Sequence, residues 1–107
     1  MRQLDVYSNG NYVGRLSEKS PGRGYSFVYD DTYILKGLPS VSVLLPKSEK
    51  EFHNASLFPF FFNMLPEGAN KRIICREEHI DENDHFGLLY WLAGADFIGA
   101  MDFKRVE

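Results

Sequence analysis

The run Leu4-Asp5-Val6-Tyr7-Ser8-Asn9-Gly10-Asn11-Tyr12-Val13-Gly14-Arg15-Leu16 decides the fold class, because it sets two short apolar segments around a turn signal. Both segments read as β structure. Asn-Gly tolerates the positive φ angles of a tight turn, so Ser8 to Asn11 closes a hairpin between the two segments. Beyond it a polar loop, Glu18 to Gly24, carries Pro21, Gly22 and Gly24. Tyr25-Ser26-Phe27-Val28-Tyr29 then alternates like a half-buried strand. Asp30-Asp31 reads as a turn. Val41-Ser42-Val43-Leu44 reads as a further strand that stops before Pro46, which has no N–H to give a ladder.

The second half changes period. Residues Lys47 to Ser56 are polar and loop-like. The apolar block Leu57 to Leu65 is long enough for two to three helical turns, with Ser56 as a cap, Pro59 in the first turn and Pro66 as the stop. Ala69 to His79 predicts a second helix. A third runs from a capping Asp84 to Ala93, with Phe86, Leu89, Tyr90 and Ala93 inward and Gly94 as its stop. Residues Gly99 to Val106 alternate again and read as a closing strand. The sum is one α+β domain over residues 1–107: a small curled antiparallel sheet, a partial barrel, with about three helices in the C-terminal half and a closing C-terminal strand.

Composition narrows the function. The chain has 107 residues, 44% hydrophobic and 15% aromatic, which excludes a disordered chain. Twelve basic residues against fifteen acidic ones leave a net charge of -3, and the basic residues are scattered. That is not the basic stripe a nucleic-acid binder uses to displace counterions, so no direct DNA or RNA contact is expected. A single cysteine, Cys75, allows neither an intrachain disulfide nor a thiolate metal cluster. The start, MRQLDVYSNG, lacks the apolar stretch of a signal peptide. No run approaches the ~18 apolar residues of a membrane span, so a bacterial cytoplasmic setting is expected.

Catalytic equipment is not evident. His53, His79 and His85 fall in three separate segments, without HExxH spacing. The acids from Glu77 to Asp84 lack the ligand order of a calcium loop and read as a solvated turn biased toward the next helix start. Gly22-Arg23-Gly24 precedes a strand, whereas a phosphate cradle precedes a helix. Cys75, beside Ile73 and Ile74, reads as a small buried hydrophobe. No catalytic, cofactor-binding or metal-binding residue is therefore assigned. The aromatic block says more. Phe58, Phe60, Phe61 and Phe62 occupy different faces of one helix, so a single stripe cannot bury them all. Either the helix is sandwiched between sheet and neighbouring helices, or part of the block, with Met64 and Leu65, is an exposed patch awaiting a partner. Trp91, with Leu88 and Leu92, makes the third helix apolar nearly all round.

In this order, the segments resemble the N-terminal subdomain of HipA-type serine/threonine kinases, the toxin component of bacterial toxin–antitoxin modules. The first hairpin, Tyr25 to Asp30, and Ser40 to Pro46 each look like a segment of that subdomain. The most specific piece, Phe60-Phe61-Phe62-Asn63-Met64-Leu65-Pro66-Glu67-Gly68, is close to the family's F-F-x-N-L-L-P-E-G. The close, Asp84 to Leu89 and Gly94 to Ala100, is similar to its helix and G-x-D-x-x-G-A turn. The resemblance covers nearly the whole chain.

What the resemblance implies is binding. In a full kinase toxin this subdomain precedes the ATP site, the catalytic Asp and the metal ligands, and phosphoryl transfer depends on those groups. The present chain carries none of them. One expectation is a stand-alone protein of the HipS type, which binds a HipA/HipT-type kinase and acts as its antitoxin within a tripartite module. The other is the N-terminal structural subdomain of a longer HipA-like toxin, bridging the kinase and a helix-turn-helix antitoxin. Beginning at Met and ending without a broken element favours the first. The expected contact is the turn Phe62, Asn63, Met64, Leu65, Pro66, Glu67 and Gly68, with Phe62 and Met64 as apolar anchors. Relatives of the HipS type carry a bulky residue near this turn that is thought to reach the kinase active site. Here the turn holds Met64 and Leu65 and no Trp.

Overall fold

The computed structural model describes residues 1–93 and 101–106. Asn9 and Gly10 both take positive φ, 50° and 82°, as the Asn-Gly signal requires, and the hairpin register closes on Ser8 opposite Asn11. Strands β1 (Arg2–Ser8) and β2 (Asn11–Ser20) pair around that turn. A register shift at Val6/Tyr7 leaves Val13 as the extra residue of a bulge, so Val13 and Gly14 are both buried. Gly14 lies against strand β3 so closely that a Cβ there would strike the Val28 carbonyl oxygen.

The expected Glu18–Gly24 loop shrinks to a two-residue turn. Pro21-Gly22 reverses the chain on its own, and pairing continues to Ser20 opposite Arg23. Strand β3 (Arg23–Tyr29) buries Tyr25, Phe27 and Tyr29, the alternation its sequence predicts. Asp30-Asp31 is not merely a turn. The Asp30 side chain accepts the Thr32 N–H at 3.2 Å and caps helix α1 (Asp31–Leu35).

The next strand is not where the apolar alternation put it. Residues 41–44 make no ladder: Ser42 and Leu45 form an isolated bridge, and Val43 and Leu44 point into solvent. Strand β4 is instead Glu51–Asn54, inside the stretch that reads as polar loop, pairing with β3 in the register Phe27 opposite Phe52. It is an edge strand with an outward face, so polar residues suit it and the apolar signal is weak. Strand β5 (Met101–Val106) pairs antiparallel with β1. The order β4-β3-β2-β1-β5 is an open sheet, curled but with two edges, and it does not close into a barrel.

The helices α2 (Pro59–Phe62), α3 (Gly68–Glu78) and α4 (His85–Ala93) follow β4, so the described residues hold four helices, one of them in the first half. Helix α2 is a single turn, far shorter than Leu57–Leu65, and starts from Phe58 with no side-chain cap from Ser56. Pro59 at its first position replaces a donor the helix would leave unused. Helix α3 ends on His79 in the left-handed conformation. In α4 the buried side chains are Phe86, Leu88 and Leu89, while Tyr90 and Ala93 are half-buried. The proposed stop at Gly94 and the Gly94–Ala100 turn lie outside the described residues.

One apolar core joins the layers. Phe61 sits fully buried at its centre, with ring centroids 5.5 Å from Phe27, 6.3 Å from Phe58 and 6.1 Å from Phe103. These contacts clamp α2 to the middle and one edge of the sheet, so the chain leaving α2 has a fixed direction. Truncating a Phe in such a position costs about 3–5 kcal/mol.

Candidate functional site

The chain leaving α2 coils through two further hydrogen bonds that each span three residues, Met64 N–H to the Phe61 carbonyl and Leu65 N–H to the Phe62 carbonyl, before Pro66 ends the run. Gly68 then opens α3. The seven residues from Phe62 to Gly68 therefore form one folded corner between two helices. Its parts differ in exposure. Phe62 is 43% exposed, Asn63, Glu67 and Gly68 are open to water, and Met64 and Pro66 are half-buried. Leu65 is only 7% exposed and belongs to the core. Leu65 is thus the corner's anchor to the fold, and Phe62 its apolar face to solvent.

The corner carries a small cleft of about 220 Å³, lined by Phe62, Leu65, Pro66, Glu67, Gly68 and Lys71. Five of the expected contact residues meet there; Asn63 and Met64 do not line it. Lys71 is the residue missed in the sequence. It sits one helical turn beyond Glu67, and its backbone N–H bonds the Glu67 carbonyl at 3.4 Å. Helix spacing alone could have brought it to the same side as the turn.

Phe62 is steadied from α4. Its ring meets the His85 ring edge-on, with centroids 4.9 Å apart. Burial, helped by the nearby charge of Lys71 and opposed by Asp84, holds His85 below the usual imidazole range. The start of α4 is itself tied down: Asp84 accepts the Gly87 N–H at 3.0 Å and two hydrogen bonds from Arg2. Arg2 also binds Glu18, which accepts from Tyr25 and the Gly22 N–H. The corner's outer wall is thereby linked to the first two strands and the β2–β3 turn.

The remaining histidines have separate duties: His53 pairs with Glu51 on β4 at 2.9 Å, and His79 ends α3. Cys75 is buried, and burial pushes its thiol pKa up, which suits packing and not nucleophilic attack. Among the described residues no group of three His, Cys, Asp or Glu side chains could hold a metal ion. No helix among them is long and apolar enough to cross a membrane. A broader concavity, about 650 Å³, lies on the open face of the sheet among polar side chains such as Gln3, Ser17, Ser26 and Asn54. The corner can offer a partner an aromatic edge, a short cleft and one cation, which is equipment for docking.

The family model described as HipA N-terminal domain matches residues 4–104. A solved structure described as the N-terminal domain of HipA toxin superposes with a TM-score of 0.76 and 30% identity, covering 100% of this chain and 94% of that one. An uncharacterized protein of Haemophilus influenzae is 33% identical over 98% of this chain and 93% of its own length. Two Sinorhizobium fredii proteins whose names mark them as candidate kinases, Y4mE and Y4dM, are each 29% identical. This chain spans 24% of the first and 27% of the second.

Proposed function

Since this chain belongs to the HipA N-terminal domain family, a non-catalytic kinase subdomain, we propose that it docks onto a HipA-type kinase and restrains it, in the manner of a HipS-type antitoxin. One observation carries the reading. The same domain occurs as nearly the whole length of the Haemophilus protein and as about a quarter of the kinase-named proteins. A domain found both joined to a kinase-sized chain and nearly alone has a surface shaped for that chain. Supplied separately, it finds the same surface by binding.

The corner Phe62–Gly68 is the contact we favour. Phe62 and Met64 provide apolar area, Lys71 and Glu67 provide a polar rim, and the α2 and α3 anchors hold the shape before binding, which limits the ordering cost on association. Asn63, Pro66 and Gly68 set the path of the corner, and Leu65 holds it to the core.

The fused arrangement also supports a second reading: a structural subunit that completes the kinase and joins it to a helix-turn-helix antitoxin without reducing activity. A phosphorylation assay separates the two. Titrating this protein into a HipA-type kinase that lacks its own N-terminal domain lowers the rate if the chain is an inhibitor. A complex that forms at undiminished rate makes it a structural subunit, and no complex at all rejects both.

A further inference from the structure

We propose that the turn Ser42–Leu45 is a second docking element, whose Val43 and Leu44 side chains enter an apolar pocket on the same kinase partner. The inference rests on the kinase-binding reading and extends it to a separate part of the fold.

The turn is closed by a hydrogen bond from the Leu45 N–H to the Ser42 carbonyl at 3.0 Å, and Ser42 Oγ accepts the Leu44 N–H at 3.2 Å. Val43 and Leu44 are therefore its central residues. Central turn positions favour Pro, Asp, Asn, Ser and Gly, each for a conformational or hydrogen-bonding reason that a Val-Leu pair lacks. Val43 is 93% exposed and Leu44 68% exposed. A lone exposed apolar side chain is ordinary, but here two adjoin at the tip of one projection.

The projection is rigid without their help. Tyr29, itself fully buried, donates its hydroxyl to the Leu45 carbonyl and accepts the Val41 N–H at 3.2 Å, gripping the turn on both flanks. Ser40 Oγ accepts the Lys47 N–H at 2.9 Å and closes the loop behind it. A turn held from its flanks presents Val43 and Leu44 in one fixed arrangement, so little conformational freedom is lost when they are covered. Among the described residues, neither side chain belongs to the apolar core or to the residues packed against it.

The occupant follows from the relatives. In Y4mE and Y4dM about three quarters of the polypeptide lies beyond this domain, and its match spans nearly all of the present chain. A kinase-sized body joined to the domain is the natural cover for an apolar tip that the domain leaves bare.

The test is the double variant V43S/L44S, titrated calorimetrically against a HipA-type kinase lacking its own N-terminal domain. Its melting curve should match the parent's, because both side chains are exposed. Its dissociation constant should rise about tenfold or more, while V43I/L44M keeps parental affinity. Parental affinity in V43S/L44S overturns the second element and leaves the Phe62–Gly68 contact standing. A parent chain that does not bind the kinase rejects the kinase-binding reading and this one with it. Sedimentation of the parent alone as a dimer that V43S/L44S dissolves would assign the tip to a second copy of the chain, and so overturn the proposal.

Discussion

The guanidinium of Arg2 lies 2.6 Å from the carboxylate of Glu18, the one buried charged side chain among the described residues. Burying a carboxylate is costly unless every lone pair is used. Glu18 meets that condition with Arg2 on one oxygen and Tyr25 and the Gly22 N–H on the other. The far side of the same guanidinium holds Asp84 at 2.7 Å and lies over the Phe86 ring at 5.4 Å. One side chain thus joins β1 and β2 to the start of α4.

Removing Arg2 should therefore cost more than a surface ion pair would. Arg2→Ala leaves Glu18 buried without its cation, a loss of about 3 kcal/mol, near the lower end for buried pairs because Arg2 is itself part-exposed. In a domain of this size that lowers the melting temperature by on the order of 10 °C or more. Lys104→Ala, which removes an exposed cation lying over Tyr7, serves as the comparison and should change little. Thermal unfolding followed by circular dichroism checks both; equal melting curves for R2A and the parent would show that the cluster is not a fastening.

The same cluster sets the response to alkali. Burial, with the hydrogen bond to Glu18 adding to it, pushes Tyr25 up to about 12 from 10.0. A group that holds its proton more tightly when folded stabilises fully below its unfolded pKa and loses that contribution as pH rises through the folded value. Stability should fall between pH 10 and 12, as measured by urea midpoints across that range. Tyr25→Phe should reduce the slope without removing it, because burial raises Tyr29 and Tyr33 as well. An unchanged slope in Y25F would exclude Tyr25 as the source.

Gly14 tests the sheet. A Cβ at this position would overlap the Val28 carbonyl oxygen, which is backbone and cannot rotate away. Gly14→Ala must then separate β2 from β3, at a cost of about 1–3 kcal/mol or more. The expected result is a lower melting temperature together with faster amide exchange along residues 23–29. Parental exchange in G14A would mean that the strands do not separate and that the added Cβ is accommodated without opening the β2–β3 pairing.

How much of this was legible beforehand depended on whether a signal was local. The Asn9-Gly10 turn, the alternation of Tyr25, Phe27 and Tyr29 and the α3 span are set by nearest neighbours, and each was readable. The fourth strand was not: Glu51–Asn54 is a polar edge whose pairing depends on β3, while Val41 to Leu44 alternate like a strand but have no ladder to join. The single-turn length of α2 is not legible either: eight of the nine residues from Leu57 to Leu65 are apolar and look helical, yet only Leu57, Phe58, Phe61 and Leu65 are buried and the helix spans Pro59–Phe62. Of the candidate corner, its position was readable from the F-F-x-N pattern. Its division into a buried Leu65 and an exposed Phe62 was not, since that follows from the path set by Phe61 in the core.

That division predicts opposite outcomes for neighbouring substitutions. Leu65→Asp places a carboxylate in the core and should unfold the domain, abolishing every activity at once. Phe62→Ser with Met64→Ser should leave melting within a few degrees and weaken kinase binding by about tenfold. Calorimetric titration beside a melting curve distinguishes them. If F62S/M64S binds as the parent does while L65D is unfolded, the corner is a structural element and the kinase contact lies elsewhere.

The last prediction concerns acid. The His85 ring, edge-on to Phe62, is held below 6.5 chiefly by burial, with Lys71 adding repulsion and Asp84 partly offsetting it. A base whose folded pKa is depressed binds more protons when unfolded. Its contribution is therefore present in full above the unfolded value of 6.5 and is lost as pH falls through the lower folded value. Protonation also brings a second positive charge beside Lys71 at the wall of the corner, so Phe62 should loosen as His85 charges. Proton resonances of His85 and Phe62 followed from pH 8 downward should move together, with a midpoint below 6.5. His85→Phe should keep the edge contact, remove that shift and flatten the stability profile over the same range. A His85 midpoint at or above 6.5 would mean that the ring is open to water and that α4 does not hold the corner closed.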